Sequence, residues 1–216
     1  MKHLLYKELR LAKHPTMFLF LLFSAMLLIP SYPYYVAFIY TCLSVFFVFL
    51  QGRENNDLSF TALLPVRKRD IVRARCLLVV LMQLAQVLVS LPCAIVGARI
   101  NPLGGNAAGI EANAAFFGLV LVMYALFNLL FLPAFYRTGY RVGRAFLFAG
   151  AAVLVYIVAA ELLVQCVPVL KASLDTFDPA TRGTRLFVLL LGAGLYAAGS
   201  LLACRLSERR FARVDL

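Results

Sequence analysis

Six apolar runs, at about residues 16–32, 34–50, 75–97, 114–136, 145–167 and 185–204, take up most of this chain. A helix needs about 17 to 25 predominantly apolar residues to cross about 30 Å of hydrocarbon, and each run has that length. The sequence therefore reads as an all-α polytopic membrane protein with six transmembrane helices, in a single transmembrane domain over residues 1–216. Its 63% hydrophobic and 14% charged residues agree, because a soluble domain averages roughly 45 to 50% apolar. The first two runs together are too long for one crossing, and Pro30 and Pro33, flanking Ser31 and Tyr32, supply the turn between them. Tyr32, Tyr34 and Tyr35 at that turn are expected at headgroup level.

Charge sets the orientation. All but four of the 21 Lys and Arg residues fall in residues 1–15, 51–75, 137–144 and 205–216, which are the two ends and two of the loops between runs. The exceptions, Arg99, Lys171, Arg182 and Arg185, flank the other loops. Cytoplasmic loops carry the excess of basic residues, so both termini are expected inside. The formal charge of +11 is thereby spent on topology, and no nucleic-acid partner is implied, since a basic binding face would accompany a soluble core. Within residues 1–15, Leu5, Leu9 and Ala12 recur at helical spacing while Lys7, Arg10 and Lys13 occupy much of the remaining circumference, the pattern of an amphipathic helix lying in the interface; the alternative is a short solvated leader that only carries the inside charge. With no A-x-A-like site after the first run, this segment is expected to stay rather than be cleaved.

Residues 51–76, QGRENNDLSFTALLPVRKRDIVRARC, interrupt the hydrocarbon with the longest cytoplasmic connection. Joining two neighbouring helices takes about 2 to 8 residues, so the extra length calls for a purpose. Phe60, Leu63 and Leu64 stand at i, i+3 and i+4, Asn55, Asn56 and Asp57 offer N-cap oxygens, and Pro65 marks a stop. A short amphipathic helix is expected, facing either a docking partner or the membrane surface. Asp70 is expected to cap the next helix, with Arg73 and Arg75 at phosphate depth.

Catalytic signatures are missing. Gly104 and Gly109 have the spacing of a phosphate loop, but Ile110-Glu111 follows where Lys-Ser/Thr is required. Neither H-E-x-x-H nor G-x-S-x-G occurs. His3 and His14, the only histidines, read as interfacial residues, and the five cysteines, odd in number and without a C-x-x-C pair, as small hydrophobes. The polar residues inside the runs are few. Gln83, Gln86 and Asn128 fall at similar depth, about 12 to 17 Å from the cytoplasmic face, and serve either as helix glue or as part of a substrate path. Glu161, the one acid within a run, shares a face with Gln165 and needs a reason, because insertion of a charge costs about 2.5 to 3.5 kcal/mol at the bilayer centre. It reads as an outer gate or contact for cationic substrates, as a pair with Arg99, Lys171 or Arg185, or as a protonated acid. In the last run Ala193/Ala197 and Gly194/Ala198 give small-x-x-x-small spacings that favour close helix packing.

The E-x(9)-LPV-x(3)-DIV pattern, Glu54 through Leu64-Pro65-Val66 to Asp70-Ile71-Val72, lies between the second and third of six runs, and with the amphipathic N-terminus it resembles the type 2 ABC-transporter permeases. The likeness is nearest to small bacterial half-permeases that pair with a separate ATPase. It implies that residues 1–15 are an elbow helix and residues 51–74 a coupling loop. The coupling helix would contact the ATPase through Glu54, Asn55, Asn56, Asp57, Leu58, Phe60, Leu63, Leu64, Pro65 and Val66, with Arg67–Arg75 anchoring the third helix. The same resemblance implies a non-catalytic permease of an ATP-driven exporter in the bacterial cytoplasmic membrane, moving a peptide or an amphipathic or lipophilic substrate. Its partners would be the ABC ATPase, a second permease subunit and membrane lipids; ATP and Mg would bind the ATPase, and this chain would hold no cofactor. The loop over residues 168–184 is too short for the large extracellular domain of some larger relatives. The competing readings are a six-span capture subunit of a vitamin or metal importer, which needs no such loop helix, and a structural membrane protein.

Overall fold

A computed structural model describes residues 2–12, 15–100, 106, 108–138 and 141–213; Lys13 and His14, and Gly104, Gly105 and Ala107 of the Gly104–Gly109 loop, lie outside them. The described residues are helical: α1 (Lys2–Ala12), α2 (Pro15–Leu22), a 3₁₀ segment (Phe23–Leu28), α3 (Tyr35–Glu54), α4 (Asp57–Ala62), α5 (Lys68–Ile100), α6 (Ala114–Thr138), α7 (Val142–Cys166), α8 (Pro168–Leu174), a 3₁₀ turn (Pro179–Thr181) and α9 (Arg182–Phe211). Five of these, α3, α5, α6, α7 and α9, are long and apolar enough to cross a membrane. The segment expected to form a first full-length helix over residues 16–32 instead changes from α to 3₁₀ after Leu22. At about 1.5 and 2.0 Å per residue its two parts reach roughly 24 Å. Its packing gives the reason. Gln86 of α5 donates to Ser24 Oγ at 3.0 Å, and Gly97 admits the Leu27 carbonyl so closely that a Cβ there would lie 2.6 Å from the oxygen. Both contacts hold the tightened turn against α5.

α6 is the central helix, with 72% of its most apolar stretch buried against 22% for α7 and 28% for α9. Rings on α3 meet it along its length. Phe38 packs edge-on against Phe116 and Phe117, and Phe49 against Phe131 and Phe135, so α3 and α6 run parallel. Tyr34 and Tyr35, expected at headgroup level, join this stack by packing on Phe116 and are buried; Tyr32 is exposed.

α9 also runs parallel to α6, backbone against backbone. A Cβ on Gly192 would lie 2.2 Å from the Gly118 carbonyl oxygen, and one on Gly199 would meet Ala125 Cβ at 3.1 Å. The packed face therefore repeats every seven residues, through Gly192 and Gly199. Gly194, Ala197 and Ala198 of the spacings read from sequence remain exposed. α5 runs antiparallel to both, since Arg73 near its start pairs with Glu208 near the end of α9. Because α1 pairs with α5 through Glu8 and Arg75, and α9 through Glu208 and Arg73, the described ends of the chain lie together at what is here called the proximal end.

Candidate functional site

At the proximal end, α3 runs out at Glu54 and the chain reverses through Asn56, the one non-glycine residue with positive φ (50°) among the described residues. Asparagine tolerates that left-handed conformation better than most residues. The three expected N-cap oxygens do not cap α4, which has no side-chain cap hydrogen bond: Asn56 is used for the reversal, Asn55 lines a neighbouring cavity, and Asp57 enters the helix. α4 is six residues long and ends at Ala62, so Leu63 and Leu64 follow it before Pro65. Asp70 likewise is not a cap. α5 begins at Lys68, and Asp70 sits in its first turn, where a negative charge meets the positive end of the helix dipole.

Thr61, one turn after Asp57, lies on the same face of α4, and both turn inward. Asp57 Oδ1 accepts from Lys7 Nζ of α1 at 2.8 Å, and Lys7 also reaches Thr61 Oγ1 at 2.6 Å. Asp57 Oδ2 accepts from Arg75 Nη2. Arg75, only 2% exposed, also donates from Nε to Glu8 Oε2 of α1 at 2.8 Å. One buried guanidinium thus joins α1, α4 and α5. It lies 5.5 Å from the Phe49 ring centre, and a Cβ on Gly52 would stand 2.6 Å from its Nη1, so the last turn of α3 is shaped around it. Burial alone would raise the Asp57 carboxyl; the Arg75 charge and the Lys7 bond outweigh it and hold the group below the ordinary aspartate range.

Of the two arginines expected at phosphate depth, Arg73 pairs with Glu208 at 2.8 Å and Arg75 is enclosed. The missed partners were Lys7, Glu8 and Thr61. Glu8 carried a signal, as the only acid in the first 53 residues. The opposite side of α4 faces outward, with Phe60 65% exposed, followed by Leu63 at 86% and Leu64 at 42%. Leu58 lies within α4, its side chain outside the described residues. Glu54 and Pro65 are exposed, and Val66 packs against the core.

Midway along the bundle, the amides read from sequence meet. Gln83 and Asn128 exchange two hydrogen bonds of 2.9 Å, Tyr196 donates to Gln83 Oε1 at 2.8 Å, and Asn128 reaches Ser200 Oγ at 3.1 Å. These bonds tie α5, α6 and α9 together in the buried interior. Gln86 faces away from this group, toward Ser24.

At the opposite, distal end, Glu161 accepts from the Ile110 amide at 3.4 Å and makes no ion pair among the described residues. Arg185, one proposed partner, instead donates to the Thr176 and Asp178 carbonyls. Gln165 donates to Asp175 Oδ2 at 3.1 Å, and both residues line a cavity of about 560 Å³ with Glu161 and Lys171. Asn113, not singled out by sequence, caps α6 through the Ala115 and Phe116 amides and donates to the Leu174 and Thr176 carbonyls, joining this loop to α8 and the segment after it. No group of His, Cys, Asp and Glu able to hold a metal occurs among the described residues.

The proximal end therefore holds a pinned helix with its apolar side turned outward on a bundle of membrane-length helices. A family model described as "ABC-2 family transporter protein" matches residues 3–206, which is nearly the whole chain. No curated protein and no solved structure matches. Taken with the helices long enough to cross a membrane, the family match makes this a multi-pass membrane protein and a permease component of ABC transport: the chain belongs to the ABC-2 transporter family.

Proposed function

We propose that the chain is the non-catalytic membrane subunit of an ATP-driven exporter in the bacterial cytoplasmic membrane, acting as one transmembrane domain over residues 1–216. The single observation behind this reading is the two-sidedness of α4. Asp57 and Thr61 fasten it to α1 and α5, while Phe60 and the following Leu63 stand 65% and 86% exposed. Buried aromatic and aliphatic anchors carry most interface energy, and these two are displayed without a partner in the isolated chain. An ABC ATPase seated there would use α4 as a coupling helix and α1 as an elbow. ATP and Mg would be bound by that ATPase, with no cofactor in this chain. Six crossings with both termini in the cytoplasm fit the shared proximal end and its basic residues.

A peptide or an amphipathic or lipophilic substrate fits this reading best. Gln83 and Asn128 satisfy one another, so these two act as helix glue, and a path would run between two permease copies rather than through one. Glu161 and Gln165 would face the distal mouth of that path. A six-span capture subunit, or a protein that is only structural, leaves the exposed side of α4 without an occupant. The test is Phe60→Ala with Leu63→Ala in proteoliposomes containing the ATPase. The double variant should insert normally, bind the ATPase at least tenfold more weakly, and lose stimulated transport. Unchanged transport and ATPase turnover would refute docking on α4.

A further inference from the structure

A second feature of the proximal end is not used by the docking reading. Between the end of α6 and the start of α7 lies a cavity of about 370 Å³, lined by Arg137, Arg141, Arg144 and Arg210, with Ala134 and Phe148 among its apolar walls and no carboxylate among its lining residues. Arg210 is aimed by its bond to the Pro133 carbonyl at 2.8 Å, which fixes one edge of its guanidinium. The N-terminus of α7 opens nearby without a side-chain cap, and a Cβ on Gly143 would meet nothing within 4 Å, so an anion can approach the first amides of this 25-residue helix. Below the arginines the surface turns apolar. Phe148 is one turn, about 6 Å, beyond Arg144. It is 70% exposed, and beside it Leu147 and then Val155 continue an exposed apolar face along α7.

The geometry points to a site for an anionic phospholipid, with the headgroup phosphate among the arginines and an acyl chain along α7. A phosphate accepts bidentate bonds from guanidinium groups, and basic pockets where membrane helices emerge are suited to such headgroups. The apolar strip favours a lipid over a free phosphate, which would need the arginines alone. It also favours a lipid over an acidic surface of a partner protein, which would not extend along a face of membrane-length helix.

The experiment uses the full chain purified in detergent and offered phosphatidylglycerol, phosphatidylcholine or inorganic phosphate, with bound lipid read by native mass spectrometry. Wild type should retain phosphatidylglycerol over phosphatidylcholine, and millimolar phosphate should not displace it. R137Q/R144Q should weaken retention by about twenty-five-fold, at roughly fivefold for each arginine near a membrane surface. R137K/R144K, which keeps the charge but not the fork, should fall between wild type and R137Q/R144Q, and R182Q at the distal end should change nothing. The proposal is overturned if wild type shows no preference between the lipids, if phosphate competes as well as lipid, or if R182Q loses as much. It is also overturned if R137Q/R144Q keeps its lipid while losing the ATPase subunit in lipid-free detergent. Selectivity is read first on the wild-type chain, so a poorly folded glutamine variant leaves the result decisive.

Discussion

Replacing Arg75 by Met removes the one group that touches α1, α4 and the Phe49 ring together, while keeping much of the side-chain volume. Two carboxylates then lose their main counter-charge in a place where Glu8 is 2% and Asp57 10% exposed. Removing one member of a buried pair costs about 3 to 5 kcal/mol. Lys7 remains, 2.8 Å from Asp57 and 3.4 Å from Glu8 and itself 26% exposed, so the lower end, about 3 kcal/mol, is expected. For a chain of this length that corresponds to a fall in Tm of roughly 6 to 12 °C. The informative variants accompany it. Arg75→Lys keeps a charge but cannot reach both acids as a fork, so it should fall between wild type and Arg75→Met. Arg75→Met with Glu8→Gln removes one stranded carboxylate and should recover a measurable part of the loss, because neighbours in one network couple by about 0.5 to 3 kcal/mol. Thermal unfolding in detergent gives the stability cycle, and ATPase stimulation in proteoliposomes gives the functional one. Equal losses for Arg75→Met and Arg75→Lys, with no recovery from Glu8→Gln, would refute the electrostatic account and leave only packing against Phe49.

Two further predictions rest on other contacts. Gly192→Ala should destabilise by about 1 to 3 kcal/mol, because its Cβ would run into the Gly118 carbonyl, whereas Gly194→Ala, two residues away with nothing within 4 Å, should be neutral or stabilising by up to about 1 kcal/mol. Equal Tm shifts for the two would show that α6 and α9 do not meet at Gly118. The second concerns pH. The Asp57 carboxyl is held below its ordinary value of 3.8, so its contribution is complete above that value and is lost only as pH falls through the lower, folded-state value. The Tm difference between wild type and Asp57→Asn should accordingly stay constant from pH 8 to pH 5 and vanish only below the ordinary aspartate range; a difference that changes between pH 7 and pH 5 would contradict this.

Length and hydropathy located five long helices because burial in lipid leaves the backbone little choice, and the bounds moved only where polar residues extend a helix beyond the apolar run. α5 begins at Lys68 rather than near 75, since Lys68, Arg69 and Asp70 form a soluble first turn that hydropathy does not register. The tightened turn after Leu22 was hidden, because its cause is Gly97 and Gln86 in another helix. The proximal cluster was half visible. Spacing marked Asp57 as special and placed Phe60 and Leu63 together, but a cap and a headgroup contact are the local meanings of Asp57 and Arg75, and the actual meaning is 18 residues of separation closed in space. The meeting of Gln83 with Asn128 was legible as matched depth; that Tyr196 and Ser200 complete the set required the parallel contact of α6 and α9.

The use of charge at the junction of α1, α4 and α5 is itself informative. A buried ion pair is a weak source of stability, and well-packed apolar residues of similar volume often serve as well or better. Its distinctive property is register: the Arg75 guanidinium bonds Glu8 on one side and Asp57 on the other, and an apolar contact would permit sliding where these bonds do not. Six-residue α4 is too short to hold its orientation by helix propensity, since isolated helices below about 12 to 15 residues are marginal in water. The clasp therefore supplies the orientation that presents Phe60, and it places the fixed side of α4 on the first turns of α5. From there the next polar links are Gln83 with Asn128 and Tyr196, which join α5 to α6 and α9. Under the docking reading, a displacement of α4 by an ATPase cannot be absorbed locally without breaking buried charge-assisted bonds, so it is delivered to α5 and through the amide set to the central helices. An apolar replacement of the whole cluster, Glu8, Asp57 and Arg75 together, that preserved stability would thus still be expected to lose coupling, which separates the role of the clasp in orientation from its role in holding the fold.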